Sequence, residues 1–183
     1  MRLLALLAAL LAPAAALADE ALWELVAQGG QVLFPRHSAT TPGVGDPPGF
    51  RPEDCATQRN LSAEGREHAR RLGAELARRQ IPVADVLASP WCRCVETAEL
   101  AFGRATVWRP LSNLFGRPQA ADRQVREMRK RIAAHGRKGS LVLVSHGSTA
   151  GALTGAHPAM GEMLVLTPLP GGNFRLGGRL SVP

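Results

Sequence analysis

Apolar positions recur along the chain with two periods, and their alternation predicts an α/β fold. Short runs rich in Val and Leu read as strands at residues 31–34, 85–88, 106–108 and 141–144, with two more at 162–166 and 174–176. The intervening segments change to helical spacing. Over residues 63–79, Ala69, Leu72 and Leu76 share a face, and over 121–134 Val125, Met128 and Ile132 do the same. Further helices are expected at 21–28, 91–102 and 149–154. Strand–helix alternation of this kind implies a mostly parallel sheet covered on both faces, a three-layer α/β/α arrangement. No internal repeat is evident. Residues 40–55 form a long stretch of Pro, Gly and Thr without periodicity, and residues 113–119 a second, shorter loop. A structureless loop of such length usually marks function.

The strand ends carry the chemistry. The first strand stops in Pro35-Arg36-His37, and the fourth in Ser145-His146-Gly147. The carboxyl ends of strands are where open α/β sheets place their ligands. Two such histidines, one beside an arginine, suggest a nucleophile and a charge partner around one anion. After the strand at 85–88, Ser89 suits an N-cap and Pro90 a first helical position. Arg93 then falls in the first helical turn, where the macrodipole disfavours a cation by about 0.3–1 kcal/mol. An anion beyond the helix tip resolves that conflict.

In order along the chain, these segments resemble the histidine phosphatase superfamily, whose relatives include the phosphoglycerate mutases. The family's Arg-His-Gly is met here by Arg36-His37-Ser38. Its Ser-x-x-x-Arg-x-x-x-Thr-Ala is met by Ser89, Arg93, Thr97 and Ala98, and its later His-Gly by His146-Gly147. The helix start Leu61-Ser62-Ala63-Glu64-Gly65-Arg66 also fits. The likeness spans about residues 31–168 and implies a phosphoglycerate mutase-like sheet. Within the family it is nearest to small secreted bacterial members, among them phosphatases proposed to act on lipopolysaccharide core heptose phosphate.

The resemblance implies phosphoryl transfer from a monoester to His37 and then to water, with no metal or other cofactor. His146 would stabilise the transferring group. Arg36 and Arg93 would bind phosphate through forked hydrogen bonds, and Thr40 falls where relatives often carry a threonine near phosphate. Nearby cations should keep His37 neutral. The proton donor is the open position. Mutase-like relatives carry a glutamate in the stretch that here reads Leu111-Ser112-Asn113-Leu114-Phe115-Gly116, and acid phosphatase relatives an aspartate where Gly147 stands. Asp46, Asp54 and Glu162 are the candidates. His68, His135 and His157 read as ordinary surface or capping residues.

The N-terminus has the pattern of a secretory signal: Arg2, an apolar run over residues 3–11, and Ala16-Leu17-Ala18 as a small-x-small cleavage site. The run is shorter than the ~20 residues of a membrane span, so no stable membrane anchor is expected. Cleavage after Ala18 leaves residues 19–183 as one domain in the periplasm or outside the cell. The formal charge of +7 becomes +6 without Arg2, and favours anionic substrates. Nucleic acid is disfavoured: there is no Tyr and only 4% aromatic content to stack bases. An oxidising compartment permits disulfides. Cys92 and Cys94 diverge on a helix, so Cys55 is expected to pair with one of them, Cys92 by preference and Cys94 as the alternative.

The expected function is a periplasmic phosphomonoesterase acting on a small phosphorylated substrate. The rivals are a phosphatase for phosphohistidine in proteins and a non-catalytic module that binds phosphate or phosphoglycan. The oligomeric state is not legible.

Overall fold

The computed structural model describes residues 14–43, 45–136 and 138–182, with side chains from residue 19 onward. The expected leader features at residues 1–13 lie outside the described residues. Helix α1 (Ala14–Ala27) starts seven residues earlier than its apolar spacing predicts and runs across the expected cleavage point.

The remaining elements alternate as expected: β1 (Val32–Pro35), α2 (Ala63–Arg78), β2 (Val83–Ala88), α3 (Cys92–Phe102), β3 (Thr106–Val107), α4 (Ala121–Ala133), β4 (Ser140–Val144), α5 (Gly147–Thr154), β5 (Met163–Pro168) and β6 (Phe174–Leu180). The six strands form one sheet in the order β3-β2-β4-β1-β5-β6. The first four in that row are parallel; β5 runs antiparallel to β1, and β6 at the edge antiparallel to β5. The sheet is thus mixed but mostly parallel.

Alternation along β1 shows how the layers form. Leu33 faces the side covered by Trp23 and Val26 of α1, Leu72 and Leu76 of α2, and Ala98 of α3. Val32 and Phe34 face Met128 and Ile132 of α4 and Ala150 and Leu153 of α5. β1 and β4 are buried on both faces, which is why their sequences are continuous apolar runs. The face of α2 predicted from its spacing is the buried one.

Ser62 caps α2, its Oγ accepting from Gly65 N at 3.0 Å. Gly65 is required by close approach: a Cβ there would lie 1.9 Å from the Ala39 carbonyl oxygen. The helix start is thereby pressed onto the backbone that follows the first strand. The structure departs from expectation at α3. Ser89 is not its N-cap; Trp91 occupies that position without a side-chain cap, and the Ser89 hydroxyl turns toward His146 instead.

The long loop at 40–55 is pinned at several points. Cys55 and Cys92 form a disulfide, so the expected partner is Cys92, while Cys94 is free and buried. Gln58 bridges the same junction, donating to Cys92 Sγ and accepting from Cys92 N. No helix among the described residues is long and apolar enough to cross a membrane.

Candidate active site

The carboxyl ends of β1, β2 and β4 converge on a cavity of about 470 Å³ whose walls include Arg36, His37, Arg59, Arg93 and His146. Residues from the two distant strand ends meet directly, since Arg36 pairs with Ser145 and His37 N donates to Ser145 O at 3.0 Å. A larger cavity, about 630 Å³, opens at the other end of the sheet beside Gly29 and His135. It has no comparable cluster of cations among the described residues.

His37 is 2% exposed. Its Nδ1 lies 2.9 Å from Ser38 O. A carbonyl only accepts, so Nδ1 carries the proton and Nε2 keeps the lone pair. Burial, and then the charges of Arg93, Arg36 and Arg59, hold its pKa down at about 3 against the opposing hydrogen bond to Ser38. The ring is therefore a neutral imidazole at any physiological pH, the form that can attack. Ser38 is itself fixed. Its N–H donates to Thr97 Oγ1 at 3.1 Å, and its Oγ lies 3.2 Å from His68 Nδ1. His68 Nε2 sits 3.1 Å from Val182 O, so that nitrogen donates and Nδ1 accepts from the serine hydroxyl.

His146 meets His37 edge-on, with ring centroids 5.4 Å apart. Its Nε2 is 2.8 Å from Ser89 Oγ and 3.5 Å from Cys94 Sγ. The Cys94 thiol donates to Ser145 O, and the Ser89 hydroxyl pairs with Nε2. Burial first, then the charges of His37 and the arginines, push the pKa of His146 well below its ordinary value.

Three guanidinium groups complete the cradle. Arg93, in the first turn of α3, is 1% exposed. Its Nη1 donates to Asp46 Oδ1 at 2.6 Å and its Nη2 to Oδ2 at 3.3 Å. Arg36 Nη1 donates to Pro158 O at 3.0 Å, and Arg59 Nη1 donates to Gly43 O. The Nε atoms of all three are buried and have no partner among the described residues. Buried unpaired donors are rare and call for a ligand. Burial and mutual repulsion lower the pKa values of Arg36 and Arg59.

The other expected site residues lie elsewhere. Thr40 pairs with Leu61 and donates to Met160 Sδ, outside the cavity walls. Asp54 caps a short 3₁₀ turn (Cys55–Thr57) and pairs with the exposed Arg51. Glu162 accepts from Ala159 N at 2.9 Å and from Arg179 at 3.2 Å. Asp46 is close but occupied. It accepts from Arg93, from Trp91 Nε1 at 2.9 Å and from Arg59 N at 3.2 Å. Burial works to raise its pKa, but the hydrogen bonds and charge of Arg93, with those of Trp91 and Arg59, hold it below the ordinary carboxylate value. It is thus an ionised counter-charge. Among the described residues, no carboxylate lines the cavity.

Sequence reasoning missed two wall residues. Arg59 precedes the Ser62 cap by three positions, and its place between a long loop and a helix start was its only signal. His157, expected to be a surface residue, also lines the cavity. Its ring lies over α5 at Gly151, where a Cβ would fall 2.2 Å from His157 Cε1.

Residues 36–114 match the family model of the histidine phosphatase superfamily, branch 1. No curated protein matches the chain. Solved structures with the same fold include the protein histidine phosphatase SixA complexed with tungstate, at 17% identity over 82% of this chain and 96% of that one, TM-score 0.55. The mycobacterial glucosyl-3-phosphoglycerate phosphatase with inorganic phosphate matches at 17% identity over 80% and 94%, TM-score 0.56. A putative phosphohistidine phosphatase SixA from Agrobacterium tumefaciens matches at 20% identity over 84% and 99%, TM-score 0.59. The family match thus covers the segment from Arg36 to Leu114, and the solved structures share the fold of this chain.

Proposed function

We propose that this protein is a metal-independent phosphomonoesterase of the cell envelope that works through a phosphohistidine at His37. The observation that carries the reading is the neutral, buried His37 beside three arginines whose buried Nε donors lack partners among the described residues. His37 Nε2 attacks phosphorus, the bond to the leaving oxygen breaks, and that oxygen takes a proton. Water then attacks the phosphohistidine, releasing phosphate and restoring His37. Arg36, Arg59 and Arg93 neutralise the phosphoryl oxygens, and His146 donates to one of them.

His157 is the proton donor in this scheme, because it is the one titratable wall residue outside the histidine–arginine cradle and no carboxylate is present among the described ones. Asp46, Glu162 and Asp54 are each engaged by an arginine and none lines the cavity, which favours His157 over them. The leader pattern and the disulfide support export to an oxidising compartment. An envelope sugar phosphate is the substrate class by resemblance. Phosphohistidine in a protein is the second reading, favoured by the SixA neighbour.

Purified protein lacking residues 1–18 should hydrolyse an aryl phosphate without added metal. His37→Ala should abolish turnover, and acid quenching of the native enzyme should trap label on His37. Native-like turnover by His37→Ala would overturn the mechanism. Phosphate binding without turnover by the native chain would favour a non-catalytic phosphate-binding module.

A further inference from the structure

A second cavity, about 400 Å³, adjoins the first, and Asn113 lines both. Arg109, Arg117 and Arg123 stand around it, from a 3₁₀ turn (Arg109–Leu111), the residue before another (Pro118–Ala120), and the first turn of α4. None of the three is ion-paired among the described residues. Several other arginines are matched with acids, as in Arg66–Glu96, Arg79–Glu20 and Arg131–Asp85. The carboxylate on this wall, Glu127, is engaged by Lys130 at 2.9 Å.

Arg109 and Arg117 also line a groove that continues past Trp91 and includes the exposed Glu53. The Arg117 guanidinium stacks 5.6 Å from the Trp91 ring centre, and that ring lies 5.4 Å edge-on from His146, so the charge is at most about 11 Å from the His146 ring. The floor is rigid: Gln124 Nε2 donates at 2.8 Å to both Pro110 O and Ser112 O. Three exposed guanidinium groups around one cavity, against Glu127 and Glu53 on its walls and those of the adjoining groove, leave a net positive potential that attracts an anion. The side chain between the two cavities, Asn113, is neutral and adds no repulsion to an anionic substrate. It is held by Ser148 Oγ at 2.8 Å.

We infer that this second cavity is a subsite for another anionic group, so that the substrate is a phosphate monoester carrying a second phosphate or carboxylate within reach of Arg117. The inference rests on the phosphomonoesterase reading of the first cavity. It narrows the substrate class to small polyanions, of which a doubly phosphorylated sugar is the simplest case.

The test compares fructose 1,6-bisphosphate with fructose 6-phosphate. The native protein should show a higher kcat/KM for the bisphosphate, and Arg117→Gln/Arg123→Gln should reduce the ratio about tenfold, as expected for lost charge-assisted contacts in a half-open site. Arg70→Gln/Arg126→Gln, which removes two exposed charges away from both cavities, should keep the native ratio. A native ratio near one, an unchanged ratio in the first variant, or an equal fall in both variants would overturn the subsite. Calorimetric titration with the same two sugars separates the two failures. If native protein turns over neither sugar nor an aryl phosphate, the phosphatase reading falls. The subsite then stands only if Arg117→Gln/Arg123→Gln weakens bisphosphate binding about tenfold more than monophosphate binding.

Discussion

Asp46→Asn should make the protein less stable and yet a better phosphate binder. The Asp46–Arg93 pair is among the most buried in the molecule, with side chains 5% and 2% exposed. Removing one partner of a buried ion pair costs about 3–5 kcal/mol, largely because the remaining charge is stranded. Asparagine keeps an oxygen that can accept from Arg93 or Trp91, which favours the lower end, about 3 kcal/mol. A domain of this size loses about 2–4 °C of Tm per kcal/mol, so a fall of about 6–12 °C is expected without ligand. Phosphate then supplies the missing counter-charge. A bound ligand stabilises in proportion to the logarithm of its concentration over Kd, so tenfold tighter binding would return about 1.4 kcal/mol at saturation. The assay is thermal unfolding of native and Asp46→Asn proteins across a phosphate titration, with inorganic phosphate Kd by calorimetry. An unchanged Tm without phosphate, or weaker phosphate binding by the variant, would refute the view of Asp46 as a counter-charge. A selective loss of alkyl phosphate turnover would instead restore it as the proton donor.

Other outcomes follow from the same geometry. His157→Gln should lower kcat on an alkyl phosphate by about 10²-fold or more while affecting an aryl phosphate little; equal effects on both would remove His157 as the acid. His37 and His146 resist protonation when folded but titrate near 6.5 when unfolded. The unfolded chain therefore binds more protons, and stability should fall as pH drops from about 6.5 toward 3, by up to about 1.4 kcal/mol per unit for each histidine. Urea unfolding at pH 7, 6 and 5 measures this, and a flat response would contradict it. Reducing Cys55–Cys92, which closes a separation of 37 residues, should cost about 3–4 kcal/mol. Equal urea midpoints with and without reductant would show that the loop holds without it.

The fold was legible because hydrophobic burial sets local period. β1 and β4 are buried on both faces and read as unbroken apolar runs, while α2 and α4 show one apolar stripe each. Boundaries were less legible: α1 begins at Ala14, inside the expected leader, because a signal's apolar residues are also good helix formers. The strand-end residues His37, His146 and Arg36 were visible because a polar residue after an apolar run is conspicuous. Arg59 was not, since an arginine in a loop looks like any solvated charge until the fold buries it. Ser89 was assigned as a cap from local chemistry, but its hydroxyl has a better partner in His146, fifty-seven positions away. The acid candidates show the same limit: sequence shows where a carboxylate is, not which arginine it pairs with.

The contact between His68 and Val182 also has a practical side. The carbonyl of Val182 fixes His68, His68 holds the Ser38 hydroxyl, and the Ser38 carbonyl sets the tautomer of His37. Val182 is therefore three links from His37, although β6, just before it, sits at the sheet's outer edge. A purification handle fused directly after residue 183 would pull on that chain of contacts, and trimming residues 181–183 would cut it. Recombinant work on this protein is best done with the handle placed ahead of residue 19 and removed, leaving the last residues as they are.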